Sequence, residues 1–363
     1  MGCIQIYPDE MLINQYAPPS YEVTVLSNSC LWVFVVDATI NLYFCIAALA
    51  TKSFGGRFLA LVFIFAFVTH CFDMVKKNSK FNFSAYCAPR ATWIVELVKI
   101  NADVSLRVIT FTPSANVNLP PIVLIPGLAG VIDSFKDLLV ELTSKHTVYY
   151  VETREKGSAK ISSPVGFTVA DIAADIPVVI QALGLADKDY TMISYSLAAS
   201  GTAVLLANKM LKPKLAVLVQ PSASFPWPRW LLGLTWVGVP LYGVIKPFVK
   251  WYMRNFTIDI NDDREIYEIN CRNLDQANPK RLAATVRAMA RFSIWEYLPK
   301  VEANCLVIGA SKDSFHSHNE ALNISKAIRG CRYIDLFDSR RSHSKEIAGA
   351  IVECFVEHSR NET

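Results

Sequence analysis

Tyr190-Thr191-Met192-Ile193-Ser194-Tyr195-Ser196-Leu197-Ala198-Ala199-Ser200-Gly201 decides the architecture of this 363-residue chain. An apolar, strand-like run breaks at Ser196 into small residues of helical character. A serine on so tight a strand-to-helix turn leaves room only for small residues two positions before and two after it. Ser194 and Ala198 meet that demand without being glycine.

Outward from this turn, short β-rich runs alternate with helical stretches from about residue 91, the signature of an α/β sheet. Segments 91–101 and 104–113 predict a leading antiparallel pair joined at Ala102-Asp103. Further strands are expected at 122–125, 147–151, 190–193, 215–220, 305–309 and 333–337, for eight in all. Helical spacing marks 135–144, 169–185, 200–212 and a closing helix at 344–358. The interval 222–300 breaks the alternation: a run dense in Trp and Pro, FPWPRWLLGLTWVGVPLYGVIKPFVKWYM (225–253), leads into charged helical sequence. The expected organisation is therefore a mostly parallel eight-stranded sheet domain over 91–221 and 301–360, with a helical cap inserted at 222–300.

The first 80 residues differ in texture. Two apolar segments, LWVFVVDATINLYFCIAALA (31–50) and FLALVFIFAFVTHCFDMV (58–75), each approach the roughly 20 residues needed to cross a bilayer as a helix. The connector TKSFGGR (51–57) makes them a transmembrane hairpin; a buried hairpin of a soluble protein is the alternative. Asp37, Asn41, His70 and Asp73 interrupt the spans. A cleaved signal peptide fits poorly, because no Lys or Arg precedes Lys52. Lys52 and Arg57 in the connector are outweighed by Lys76, Lys77 and Lys80 after the second segment, which favours a two-pass protein with a cytosolic enzyme domain. Met1-Gly2-Cys3 hints at acylation, but Ile6 stands where the myristoylation pattern wants Ser or Thr.

The turn at Ser196 resembles the nucleophile elbow of the α/β-hydrolase superfamily, of the serine esterase and lipase kind. Ile125-Pro126-Gly127-Leu128-Ala129-Gly130 resembles the His-Gly region of that superfamily, with Pro126 where histidine is common. Glu152-Thr153-Arg154-Glu155-Lys156-Gly157-Ser158 is similar to its Asp-x-Arg-Gly-x-Gly-x-Ser turn. The resemblance covers about residues 91–360 and implies Ser196 as nucleophile, with the backbone N–H groups of Leu128 and Leu197 as oxyanion hole. It places the acid at Asp313, in Ala310-Ser311-Lys312-Asp313-Ser314, since Gln220-Pro221-Ser222 at the alternative position offers no carboxylate. The base is expected at His343, between the last strand and the last helix. His316 and His318, which adjoin Asp313, remain rivals, whereas His70, His146 and His358 suit no loop near the turn.

These residues imply acyl transfer through an acyl-enzyme, with no metal and no organic cofactor. A bilayer anchor and an aromatic-rich cap favour a small lipophilic acyl ester as substrate. The Trp-rich run fits ordinary cap packing as well as an interfacial face, with Lys246, Lys250 and Arg254 at near-helical spacing. Acyl transfer to another acceptor, thioester or amide cleavage, and a non-catalytic binding module all stay open.

Composition narrows the remaining classes. The chain is 52% hydrophobic and only 19% charged, against about 25% charged in ordinary soluble domains, so contact with a lipid bilayer is expected. A net charge of +4 without basic runs argues against a nucleic-acid partner. Nine scattered cysteines form no Cys-x-x-Cys pair for zinc or a redox dithiol, and Cys305 and Cys331 fall in or beside apolar strands. Sequons at Asn82, Asn255, Asn323 and Asn361 occur about as often as chance provides.

Overall fold

The computed structural model describes residues 82–114, 119–225, 229–237, 239, 242–313 and 316–361. The unit treated below comprises 83–242 and 248–361 within those bounds. The apolar segments 31–50 and 58–75 lie outside the described residues, and among the described residues no helix is long and apolar enough to cross a membrane.

Nine strands form one sheet. They are β1 (Thr92–Lys99), β2 (Val104–Thr112), β3 (Ile122–Ile125), β4 (Val148–Val151), β5 (Lys160–Ile161), β6 (Thr191–Tyr195), β7 (Leu215–Val219), β8 (Cys305–Gly309) and β9 (Arg332–Asp335). The path across the sheet is β1-β2-β4-β3-β6-β7-β8-β9, and β5 pairs with the start of β2. β1, β4 and β5 run antiparallel to β2, and along the path the pairings β4-β3, β3-β6, β6-β7, β7-β8 and β8-β9 are all parallel. Each of the eight expected strands has its counterpart; β5, at two residues, is too short to show a period.

Parallel strands buried on both faces read as continuous apolar runs, and β3, β6, β7 and β8 are buried at every position. Alternate side chains serve opposite faces. Val123, Ile125 and Met192 pack with Ile176 and Val179 of α2 (Val169–Ala182), with α3 (Leu197–Ala207) and with α8 (His318–Ala327). Ile122, Leu124, Ile193 and Tyr195 pack instead with Leu138 and Leu139 of α1 (Lys136–Leu142) and Ile347 and Ile351 of α9 (Glu346–Asn361). α3 lies close against α2: a Cβ on Gly201 would stand 3.2 Å from the Cβ of Ala173, so the missing side chain sets the helix separation.

After β4 the chain buries charge in a way that composition does not foretell. Arg154 forms a fork with Asp175 of α2, Nε to Oδ2 at 2.7 Å, and donates to the Gly166 carbonyl at 3.0 Å. Arg107 of β2 forks onto Glu152 at 2.8 Å for both bonds. Between β7 and β8 stand α4 (Arg229–Val237), α5 (Tyr242–Tyr252), α6 (Ile260–Gln276) and α7 (Pro279–Met289). Arg281 of α7 donates to the carbonyls of Lys156 and Ala159, and Asn273 of α6 accepts from the Val131 N–H at 3.1 Å. Polar clamps on backbone carbonyls and on one backbone N–H thus hold these helices beside the ends of β3 and β4.

Asp175 is 1% exposed and Arg154 8%, so removing either charge strands the other in a dry site. The expected outcome for Asp175→Asn is a loss of about 3 kcal/mol in urea unfolding. The double replacement Arg154→Met with Asp175→Leu should recover most of it in the same measurement.

Candidate active site

Three neighbouring parallel strands, β6, β7 and β8, deliver the site from their C-terminal ends, where open α/β sheets bind ligands. Ser196 follows β6 with φ 48° and ψ −115°, a conformation that costs a non-glycine residue about 1–3 kcal/mol. The turn is held from both sides: the Ser196 N–H donates to the Val219 carbonyl at 2.9 Å, and its own carbonyl accepts from the Ser200 N–H at 3.0 Å. Ser194, two residues earlier, is fully buried and its hydroxyl finds no partner among the described residues. The space therefore admits a small side chain without rewarding its polarity.

Gln220 ends β7 with φ 48°, and its N–H donates to the Ile308 carbonyl at 2.7 Å. This bend sends the Gln220 amide to the Asp313 carboxylate, with Nε2 also 3.2 Å from Ser339 Oγ. Asp313 follows β8, and its side chain is only 2% exposed. Its Oδ1 accepts from the His316 N–H at 3.2 Å, and its Oδ2 lies 3.0 Å from His316 Nδ1. The other ring nitrogen, His316 Nε2, is 2.8 Å from Ser196 Oγ. A carboxylate facing Nδ1 fixes the proton there and leaves Nε2 as the acceptor for the serine hydroxyl.

The histidine that meets Ser196 is thus His316, and His343, the expected base, stands elsewhere. Its ring lies 5.2 Å from Phe135 and 5.0 Å from Tyr195 between ring centres, on the face of the sheet that carries α1 and α9. Nδ1 donates to the Ser339 carbonyl at 3.1 Å, and the Tyr195 hydroxyl donates to the adjoining Ser342 carbonyl at 2.9 Å. Aromatic packing and a backbone bond hold this imidazole below the elbow. His318, the other rival, is 3.0 Å from the Tyr333 hydroxyl.

The loop after β3 closes against the serine. A Cβ on Gly127 would stand 3.2 Å from the Cβ of Ser196 and 3.3 Å from the Tyr195 carbonyl oxygen, so glycine permits the approach. Ala129 turns the loop with φ 55°. The N–H groups of Leu128 and Leu197 have no hydrogen-bond partner among the described residues. Gln220 is the contributor that sequence reasoning passed over: it looked like a missing carboxylate, and nothing local marks it as a donor to one. His316 carried a faint signal, since three residues in a loop are enough for an imidazole to fold back on its own aspartate. Among the described residues, no group of three or more His, Cys, Asp or Glu side chains is placed to hold a metal.

No protein-family model matches the chain, and no curated protein matches it. Solved structures do. The enol-lactonase from Burkholderia xenovorans LB400 is 19% identical, with a TM-score of 0.59 over 72% of this chain and 98% of its own. The bromoperoxidase from Bacillus anthracis is 16% identical, with a TM-score of 0.59 over 72% and 99%. A thermophilic esterase from Thermogutta terrifontis is 15% identical, with a TM-score of 0.58 over 72% and 97%. At these identities the likeness establishes the fold, that of the α/β hydrolases.

Burial lowers the pKa of His343, against the opposing pull of the Ser339 carbonyl and Asp313. The folded state then binds this proton less readily than the unfolded chain does, so its stabilising effect is complete above about pH 6.5 and is lost as pH falls through the lower folded value. Wild type is expected to lose stability between pH 7 and 5 relative to His343→Phe, which keeps the ring contacts; urea midpoints of the two proteins at each pH measure the difference.

Proposed function

We propose that the chain is a serine hydrolase acting on a carboxylic ester, with Ser196 as nucleophile, His316 as general base and Asp313 as the group that orients it. The observation that carries this reading is the continuous relay from Asp313 Oδ2 through His316 to Ser196 Oγ, with spacings of 3.0 and 2.8 Å. His316 takes the Ser196 proton as Oγ attacks the acyl carbonyl, and Asp313 stabilises the imidazolium that forms. The N–H groups of Leu128 and Leu197 meet the oxyanion. His316 then returns its proton to the leaving alcohol, and a water activated by the same imidazole releases the acid from the acyl-enzyme.

A lipophilic acyl group is supported by the surroundings of those two N–H groups. Leu197 and Met289 form a small apolar cluster with Val169 and Ile172 of α2, against which Leu128, Phe225 and Phe292 pack. The side chains of the oxyanion residues therefore merge with the helices inserted after β7. A lipid bilayer as partner is supported by the outer side of those helices, where Trp236 is 76%, Phe256 66% and Trp251 51% exposed. Trp251 lies 5.7 Å from Phe248 and 5.5 Å from Phe256 between ring centres, forming one aromatic surface. Lys250 is paired with Asp275 at 2.8 Å, Arg287 lies 4.6 Å over the Trp236 ring, and Arg254, between Trp251 and Phe256 in sequence, is exposed. Membrane placement of the whole chain belongs to the same proposal and draws on the apolar segments 31–50 and 58–75.

Fluorophosphonate labelling with the modified peptide mapped tests the chemistry. Wild type should label at Ser196 and Ser196→Ala not at all, while His316→Ala should slow labelling by roughly 10³-fold or more. His343→Phe should remain within about tenfold of wild type. Labelling that needs His343 and not His316 would return the base to His343, and an inert, folded wild type would favour a binding module. For the membrane surface, the chain from residue 82 should float with anionic liposomes, and the triple replacement Trp236→Ser, Trp251→Ser, Phe256→Ser should stay in the soluble fraction.

A further inference from the structure

The Gly127–Leu128 peptide carries both a carbonyl oxygen and the N–H assigned to the oxyanion. In a trans peptide these two groups point in opposite directions, so whatever fixes the carbonyl also aims the N–H. The Gly127 carbonyl is held by two donors, Lys156 Nζ at 2.9 Å and the Gly130 N–H at 3.0 Å. Lys156 is 8% exposed, and its ammonium lies 3.3 Å from Glu155 Oε1, which in turn accepts from the Thr153 hydroxyl at 2.7 Å. A buried lysine paired with Glu155 and donating to one backbone oxygen has no role in the relay through His316.

We propose that Lys156 is a positioning residue for the oxyanion hole: its ammonium pins the Gly127 carbonyl, so that the Leu128 N–H on the far side of the same peptide faces the reacting carbonyl beside Ser196. The inference rests on the serine hydrolase reading. Charge adds to orientation, because a cation on the carbonyl oxygen polarises the peptide and makes its N–H a stronger donor. The backbone of Lys156 is itself anchored, bridging to Ala277 and accepting from Arg281 at the start of α7. The inserted helices therefore reach the oxyanion hole through this side chain as well as through the apolar packing of Met289 on Leu197.

The experiment uses the full chain with p-nitrophenyl butyrate as probe substrate and a trifluoromethyl ketone as mimic of the tetrahedral intermediate, with rates normalised to folded protein. Removal of an oxyanion donor costs about 10²–10³ in turnover, and misaiming one should cost roughly 10²-fold. Lys156→Met is expected to lower kcat by about that factor with KM within about twofold, and to weaken the ketone in parallel with kcat. Lys156→Arg should restore roughly tenfold or more of the lost kcat. Lys156→Gln, which keeps a neutral donor of similar reach, should fall between and carries the comparison if the methionine variant folds poorly. Unchanged kcat per folded molecule, or ketone affinity that stays at the wild-type value, overturns the role while Ser196 labelling still upholds the hydrolase reading. A wild type that fluorophosphonate does not label overturns both.

Discussion

The left-handed turn at Ser196 is the constraint on which the other parts depend. A side chain pays steric energy to sit at φ 48°, and that cost persists only because the flanking elements leave no alternative. β6 is buried along its whole length and α3 packs against α2 without a side chain at Gly201. The Val219 carbonyl on β7 takes the turn's N–H. The sheet thus stabilises a conformation that lifts one hydroxyl clear of the strand.

The same device recurs one strand over, where Gln220 also adopts φ 48°. There the outcome is a side-chain amide turned toward the Asp313 carboxylate rather than an exposed hydroxyl. Asp313 is consequently surrounded by donors: the Gln220 amide, the Ser339 hydroxyl at 3.5 Å, and the ring and backbone of His316. Donors of this kind fix the orientation of the carboxylate in a nearly dry position, from which it faces the imidazole.

The strands were readable because burial on both faces of a parallel sheet demands unbroken apolar runs, and those runs stand out between polar loops. The serine turn was readable for a related reason, since close packing at the turn excludes large neighbours and leaves a small-residue pattern. The histidine was not. Its position after the last strand commends His343, but the contacts that hold His343 come from Phe135 and Tyr195, which no local pattern connects to it. Likewise Gly127, Lys156 and Arg281 meet only in the folded chain, and a lysine in a charged turn looks like a solvated one until its carbonyl partner is seen.

Asp313 and His316 lie three residues apart on one loop, whereas Ser196 comes from a different strand. The proton acceptor and counter-charge of the proposed relay therefore sit on one short stretch of chain, which meets the rest of the site through His316 Nε2 on Ser196 Oγ and through the Gln220 amide and Ser339 hydroxyl on Asp313. The acid and base of the proposed relay thus share a stretch of four residues, Asp313 to His316, that leans on the end of β6 through Ser196.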